Sequence, residues 1–205
     1  MRSLSADQLD ALQEFINIGV GRAASILNEM TDCRILLKIP IIEVFEIAQL
    51  QQKLKERFNG GYFSTVRLGF AGQFSGTAEL VFPTESASTL ISVLTGEAPD
   101  SPDLDAVKIG TLSEVGNIVI NGVMGSISNL LSQHLRYAIP IYLEDTIQNL
   151  LLHSRRGHNG TIFLLAQTRF EIKQLEIIGD IILIFEVSSF DALIEAIDRE
   201  LGVPS

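Results

Sequence analysis

The sequence predicts an α/β (α+β) fold in which two pseudo-symmetric halves share one mostly antiparallel sheet with helices packed on it. Three observations carry that prediction. A fixed offset of 100 superimposes Glu14 on Glu114, Asn17 on Asn117, Ile18 on Ile118, Ile39 on Ile139 and Pro40 on Pro140. A second offset, of 103, lays the block 76–82 over the block 179–185, so two matches recur in the same order. Both stretches also read as helix, strand, hairpin, helix, and a repeated unit of this kind buries its apolar faces against its neighbour in one core. The predicted organisation is a single domain, 1–205, made of an internal duplication over about 1–98 and 103–205. The seam is the segment 96–102, where Gly96, Pro99 and Pro102 interrupt regular structure.

Each element has a local cause. Ser5 and Gln8 form a capping box ahead of Leu9, Leu12, Ile16, Val20, Ala23, Leu27 and Met30, whose spacing is helical, so a helix is expected over about 6–30. Residues 34–42 are rich in Ile and Leu and read as a strand, with Pro40 tolerated near an edge or an end. Residues 47–58 form a short helix or an irregular segment, and Asn59-Gly60-Gly61 is a turn signal. Strands over 62–70 and 74–82 follow, and Thr84 starts a helix with Ala87, Leu90, Ile91 and Leu94 on one side. The second half repeats the order with a helix over about 104–133, a strand at 135–142, a hairpin over about 161–187 and a closing helix from about Phe190 to Leu201.

Composition removes several function classes. The chain has 205 residues, 46% of them apolar, and carries a formal charge of −10, which repels phosphate backbones and anionic lipid; nucleic acid is not an expected partner. Cys33 is the one cysteine and excludes an internal disulfide, and with His134, His153 and His158 it gives no zinc-ligand spacing. The first residues lack an apolar signal region and no run is long enough for a membrane span, so a cytoplasmic location is expected. No nucleotide-binding glycine loop is present, and Gly72-Gln73-Phe74-Ser75-Gly76 sits in a hairpin without the helix a serine nucleophile would need. The basic island from His153 to His158 reads as a solvated loop with a docking contact as the other option, and Cys33 reads as a partly buried residue at a helix end.

The duplicated polar residues remain. At roughly 100° per residue, Glu14 and Asn17 share one helix face with Asp10 a turn before and Gly21 a turn after, away from the apolar set. Glu114, Asn117 and Asn121 form a similar stripe, with Gly110 before it and Gly125 beyond it. Glu suits a helix; Asn does so poorly, because its short amide competes for backbone bonds. Two mid-helix asparagines at the same step therefore call for a reason. A neutral amide cannot abstract a proton, but it donates and accepts hydrogen bonds and holds water, which serves phosphoryl hydrolysis, where positioning does most of the work.

These residues resemble a known family. Asp10-x-x-x-Glu14-x-x-Asn17-x22-Pro40 and Glu114-x-x-Asn117-x22-Pro140 are similar to the duplicated signature of the CheC, FliY and CheX phosphatases of chemotaxis. Residues 17–24 (Asn-Ile-Gly-Val-Gly-Arg-Ala-Ala) and 114–118 (Glu-Val-Gly-Asn-Ile) add to the likeness, which covers nearly the whole chain. The CheC type is the expected one, since CheX-like members generally show one such site and FliY proteins add segments for which 205 residues leave no room. The resemblance implies hydrolysis of the aspartyl phosphate of a phosphorylated CheY-like response regulator. It makes Asn17 and Asn117 the water-placing residues and Glu14 and Glu114 the groups that dock on the regulator's lysine, with Asp10 and Gly21 in support. Pro40 and Pro140 would shape the following strands and carry no chemistry. No cofactor or metal is expected on this chain; Mg2+ would belong to the partner receiver.

Three points stay open. Gly110 stands where the family pattern has Asp or Ser, Thr111 lies about 100° around the helix from that place, and the second site is expected to be the weaker. Gly21 and Gly125 either admit a partner's backbone or serve helix packing. A non-catalytic adaptor or sink that binds a phosphorylated receiver, or a CheD-like deamidase, is the other functional reading.

Overall fold

Seven strands form one sheet in the computed structural model of the chain, which describes residues 4–31, 34–58, 62–96, 104–146, 161–172 and 175–203. The elements are α1 (Ala6–Thr31), β1 (Ile35–Phe45), α2 (Ile47–Phe58), β2 (Tyr62–Ala71), β3 (Gly76–Pro83) and α3 (Thr84–Thr95), then α4 (Leu104–Leu130), β4 (Arg136–Tyr137), β5 (Ile141–Thr146), β6 (Thr161–Ile172), β7 (Leu175–Glu186) and α5 (Val187–Glu200). The order across the sheet is β1-β6-β7-β3-β2-β4, with β5 also on β2, and every pairing among the described residues is antiparallel. The predicted fold class is the observed one.

Strand pairing crosses the seam. β1 borders β6, while β4 and β5 border β2, so each hairpin receives its outer strand from the other end of the chain. The two repeated blocks lie on β3 and β7, which pair with each other at the centre of the sheet, Gly76 opposite Phe185 and Val81 opposite Asp180. Alternation along these strands sorts the core into two layers. Val66, Leu80, Phe82 and Leu164 face α1, α3, α4 and α5, whereas Phe63, Val81, Phe163 and Leu165 face Leu50 and Leu54 of α2. Phe185 joins β7 to β2 through Phe70, 5.6 Å between ring centroids, and to α5 through Phe190, 6.0 Å.

The local signals act as expected at most positions. The Ser5 amide donates to Gln8 Oε1 at 2.9 Å and the Gln8 amide to Ser5 Oγ at 3.2 Å, which is the capping box. Gln8 Nε2 also donates to Asp198 Oδ1 at 2.6 Å and ties the start of α1 to α5. α3 ends at Gly96 in the left-handed conformation, its N–H bonded to Ser92 O. Thr84 begins α3 but does not cap it: its hydroxyl donates to Tyr62 O at 2.7 Å, and Pro83 holds the cap position.

Several expectations need correction. β1 runs on to Phe45, β3 starts at Gly76 and not Phe74, α4 stops at Leu130, and α5 starts at Val187, while the segment 47–58 takes the helical one of its two expected forms. The strand expected at 135–142 is two strands, β4 and β5, both on β2: the Ala138 N–H still donates to Gly69 O at 2.9 Å, and around Pro140, which has no N–H to donate, three residues oppose two. Pro40 is accommodated differently. It stays inside the edge strand β1, where the register shifts between Lys38 and Ile41 so that two residues oppose one. The turn at 59–61, Cys33, His153, His158 and most of the seam lie outside the described residues.

α1 and α4 meet backbone to backbone at a pair of glycines. A Cβ at Gly19 would lie 2.6 Å from Gly122 O and from Val123 Cα, and one at Gly122 would lie 2.7 Å from Gly19 O. Gly116 faces the sheet, where a Cβ would meet three Val66 side-chain atoms at 2.4–2.7 Å. Gly110, in contrast, is an exposed helical position with nothing within 4 Å. Gly19→Ala is expected to lower the unfolding free energy by about 1–3 kcal/mol. Gly110→Ala is expected to raise it by about 0.5–1 kcal/mol, by removing the entropy cost of a mid-helix glycine. Urea denaturation of the two variants checks both signs.

Candidate functional site

α1 and α4 each turn an apolar side to the sheet and a polar side away from it. On α1, Leu12, Phe15, Ile16, Val20, Ala23 and Leu27 are buried, while Asp10, Glu14 and Gly21 are exposed. On α4, Leu112, Val115, Val119, Val123 and Ile127 are buried, while Gly110 and Glu114 are exposed. Asn17 and Asn117 lie at the border between the two sides, partly buried. Neither is sealed in the core, and neither is fully in solvent, as the stripe geometry had suggested.

The border position gives each amide a partner. Asn17 Oδ1 accepts the Ile39 N–H at 3.3 Å, and Gln13 Nε2 donates to Ile39 O at 3.4 Å. Ile39 is the residue beside the β1 bulge, and two side chains one helical turn apart on α1 bond both of its main-chain groups. This is a physical reason for the spacing Asn17-x22-Pro40: the helix amide serves a strand residue that the bulge takes out of the ladder. Ile39 is 3% exposed, which seats it in the core.

The second copy is built otherwise. Ser113 stands in the place of Gln13 and is too short to span such a contact, and Ile139 is 85% exposed. Asn117 Oδ1 instead accepts from Asn121 Nδ2 at 2.6 Å, along α4 itself. In both copies the carbonyl end of the amide is thus engaged, and among the described residues Nδ2 of Asn17 and of Asn117 has no protein acceptor. Glu14 and Glu114 form no hydrogen bond or ion pair among those residues. Sequence reasoning placed Asn121 on the stripe but assigned it no part; Gln13 went unnoticed, and its i, i+4 relation to Asn17 was the available signal.

The glycines divide cleanly. Gly21 and Gly125 have nothing within 4 Å of a built Cβ, so neither packs α1 against α4. That packing is done by Gly19 and Gly122. Gly21 leaves bare backbone one turn from Asn17, whereas Gly125 lies two turns from Asn117 with Asn121 between them. Gly110 brings no side chain to the start of the second stripe, and the partly buried Thr111 does not take its place on the exposed side.

The start of α4 is held to the sheet edge by charge. Lys108 Nζ bonds Glu144 Oε1 on β5, and Tyr142 OH donates to the same oxygen at 2.8 Å. The Lys108 hydrogen bond holds the Glu144 carboxyl below the usual carboxylate range, against the opposing effect of partial burial. A cavity of about 370 Å³ lies elsewhere, over Arg67, Thr77, Glu79, Thr161 and Glu186, and none of the predicted site residues lines it. Among the described residues no three His, Cys, Asp or Glu side chains are grouped to hold a metal, and no helix is long and apolar enough to cross a membrane.

Comparison with known proteins bears on this arrangement. Residues 8–43, which contain Asp10, Glu14, Asn17 and Pro40, match the model of the CheC-like family. A curated relative, the CheY-P phosphatase CheC of Bacillus subtilis (strain 168), is 24% identical over 147 residues, 67% of this chain and 66% of that protein, just under two thirds of its length. Among solved structures, Thermotoga maritima FliY superimposes with a TM-score of 0.73 at 15% identity, covering 97% of this chain and 100% of that one. The middle domain of FliM from H. pylori gives 0.63 at 11% identity, covering 94% and 99%. The same frame therefore occurs in differently named proteins, and fold alone does not select an activity.

The Lys108–Glu144 contact has a pH signature. A carboxylate whose folded pKa is depressed contributes stability above its unfolded value, about 4.3, and loses it as pH falls through the folded value. The Glu144 side chain is 50% exposed, so the contribution is discounted for solvent to roughly 0.5 kcal/mol. Wild type is expected to lose that much more stability than Glu144→Gln between about pH 6 and pH 3. Urea unfolding of both proteins across that range measures it.

Proposed function

We propose that this chain, which belongs to the CheC-like family, hydrolyses the aspartyl phosphate of a CheY-like receiver domain. Asn17 and Asn117 would each place the attacking water, and Glu14 and Glu114 would dock on the receiver. The receiver would bring its own Mg2+, which would supply charge stabilisation. The loose transition state of phosphoryl transfer needs little from a catalyst beyond position and charge, so a neutral amide is a sufficient tool. Duplication over about 1–98 and 103–205 belongs to the same reading and is supported by the exchange of outer strands between the hairpins. The B. subtilis relative is named a CheY-P phosphatase, which supports the substrate class.

One observation carries the proposal. Asn17 could be explained as a peg for Ile39 alone, since its amide bonds that main chain. Asn117 has no such duty among the described residues: Ile139 stands 85% exposed, and the amide is bonded there only along its own helix. An asparagine kept at the same step of α4 without the strand contact is accounted for by a task at the surface. The exposed Glu one turn before each amide, and the bare backbone of Gly21 one turn after Asn17, suit a partner that comes close.

The phosphorylated CheY-like receiver of the same organism, with Mg2+, is the substrate for the test. Asn17→Ala combined with Asn117→Ala is expected to slow phosphate release by about 100-fold or more, comparable with loss of a positioned polar group in other enzymes. Because Asn17 also bonds β1, its single variant should lose about 1 kcal/mol of stability. A thermal melt separates that loss from the rate effect, and folded double variant with unchanged turnover defeats the assignment. If wild type binds the receiver and never speeds phosphate loss, the chain is an adaptor or sink, with a CheD-like deamidase among its candidate partners.

A further inference from the structure

We infer that Asn121 is the positioning residue of the second site, holding the Asn117 amide in the polarity that the β1 main chain imposes on Asn17. The inference rests on the phosphatase reading above. At the first site the Ile39 N–H donates to Asn17 Oδ1, so the carbonyl end is committed and Nδ2 is left to the surface. At the second site, among the described residues, no strand N–H bonds Asn117 Oδ1: residue 139 lies between β4 and β5 with its side chain 85% exposed. Asn121 Nδ2 donates to Asn117 Oδ1 at 2.6 Å and restores the same commitment from within α4. Without it the Asn117 side chain would turn freely about its terminal torsion and present either end to a water. The residue at the corresponding step of α1 is Gly21, where no second amide is needed because β1 supplies the donor. Asn121 is itself partly buried and sits one turn from Asn117, on the side of α4 that carries Glu114.

The effect of Asn121 is measured in the Asn17→Ala background, so that turnover reports the second site alone. Asn121→Ala and Asn121→Leu, both lacking the donor, are expected to lower kcat about fivefold, the scale of one neutral hydrogen bond, with KM changed by less than about twofold because Glu114 still docks. Asn121→Gln keeps an amide donor at i, i+4 and is expected to restore most of kcat. Three results overturn the inference while leaving the phosphatase reading intact. In the first, all variants match the Asn17→Ala parent. In the second, Asn121→Leu stays active where Asn121→Ala does not, which means that bulk alone is needed. In the third, Asn17→Ala by itself abolishes turnover, so the second site has none to support. Absence of turnover in wild type removes both the phosphatase reading and this inference.

Discussion

The contact of Gly19 with Gly122 is the constraint on which the rest of the molecule depends. Two helices of 26 and 27 residues lie side by side over one sheet, and at their crossing backbone meets backbone with no room for a methyl group. Helices ordinarily pack with axes about 8–10 Å apart, set by the side chains between them; removing those side chains draws the axes together. The apolar residues of α1 and α4 then share the sheet surface, with Glu14 and Glu114 on the outward side of the helices and Asn17 and Asn117 at its border. Each helix is also pinned near its start at matching steps of the repeat. Gln8 holds α1 to Asp198 of α5, and Lys108 holds α4 to Glu144 of β5. The same place in the two copies thus anchors its helix by different chemistry and to a different element.

That divergence under common geometry recurs at the candidate site. A proline in a strand has no N–H for the ladder and forces either a bulge or a break. β1 takes the bulge, and the displaced residue is recovered by Asn17 and Gln13 from above. At Pro140 a one-residue shift of the same kind also interrupts the strand, between β4 and β5. With Ser113 in place of Gln13 nothing reaches residue 139, and Ile139 turns to solvent. Asn117 is released from structural service and bonds Asn121. One pattern in the sequence, Asn-x22-Pro, thus comes with two different hydrogen-bond arrangements of its asparagine.

Much of this was legible in the sequence because it is local. The capping box of Ser5 and Gln8, the apolar period of α1 and the paired strands around 71–76 each follow from residues a few steps apart. Repetition added the pseudo-symmetric pattern, and the stripe geometry placed Glu14 and Glu114 on the exposed side. What was not legible depends on distant partners. Nothing local tells β1 to pair with β6 across the seam, or shows that Glu79, 1% exposed, is matched by Arg67 Nε at 2.6 Å on the adjoining strand. The glycines show the same limit. Gly19, Gly21, Gly122 and Gly125 look alike in the sequence, and only the packing separates those that join helices from those left open. Pro40 and Pro140 hold matching places in the sequence, yet only the structure shows that the first stays within a strand and the second lies between two.

The site then divides its labour between fixed and movable groups. Asn17 and Asn117 have their carbonyl ends committed, so the freedom an amide would lose on capturing a water, on the order of 0.5–1.5 kcal/mol for a side chain, is surrendered largely on folding. Glu14 and Glu114 are exposed and uncommitted among the described residues, free to search for a cation on an incoming surface. In the proposed reaction that arrangement is the economical one. Docking tolerates a flexible carboxylate, since Coulomb attraction acts over several ångströms, whereas orienting a nucleophile does not tolerate a rotating amide. The carboxylate sits one turn ahead of the amide on each helix, so when it finds its partner the tethered amide arrives with it.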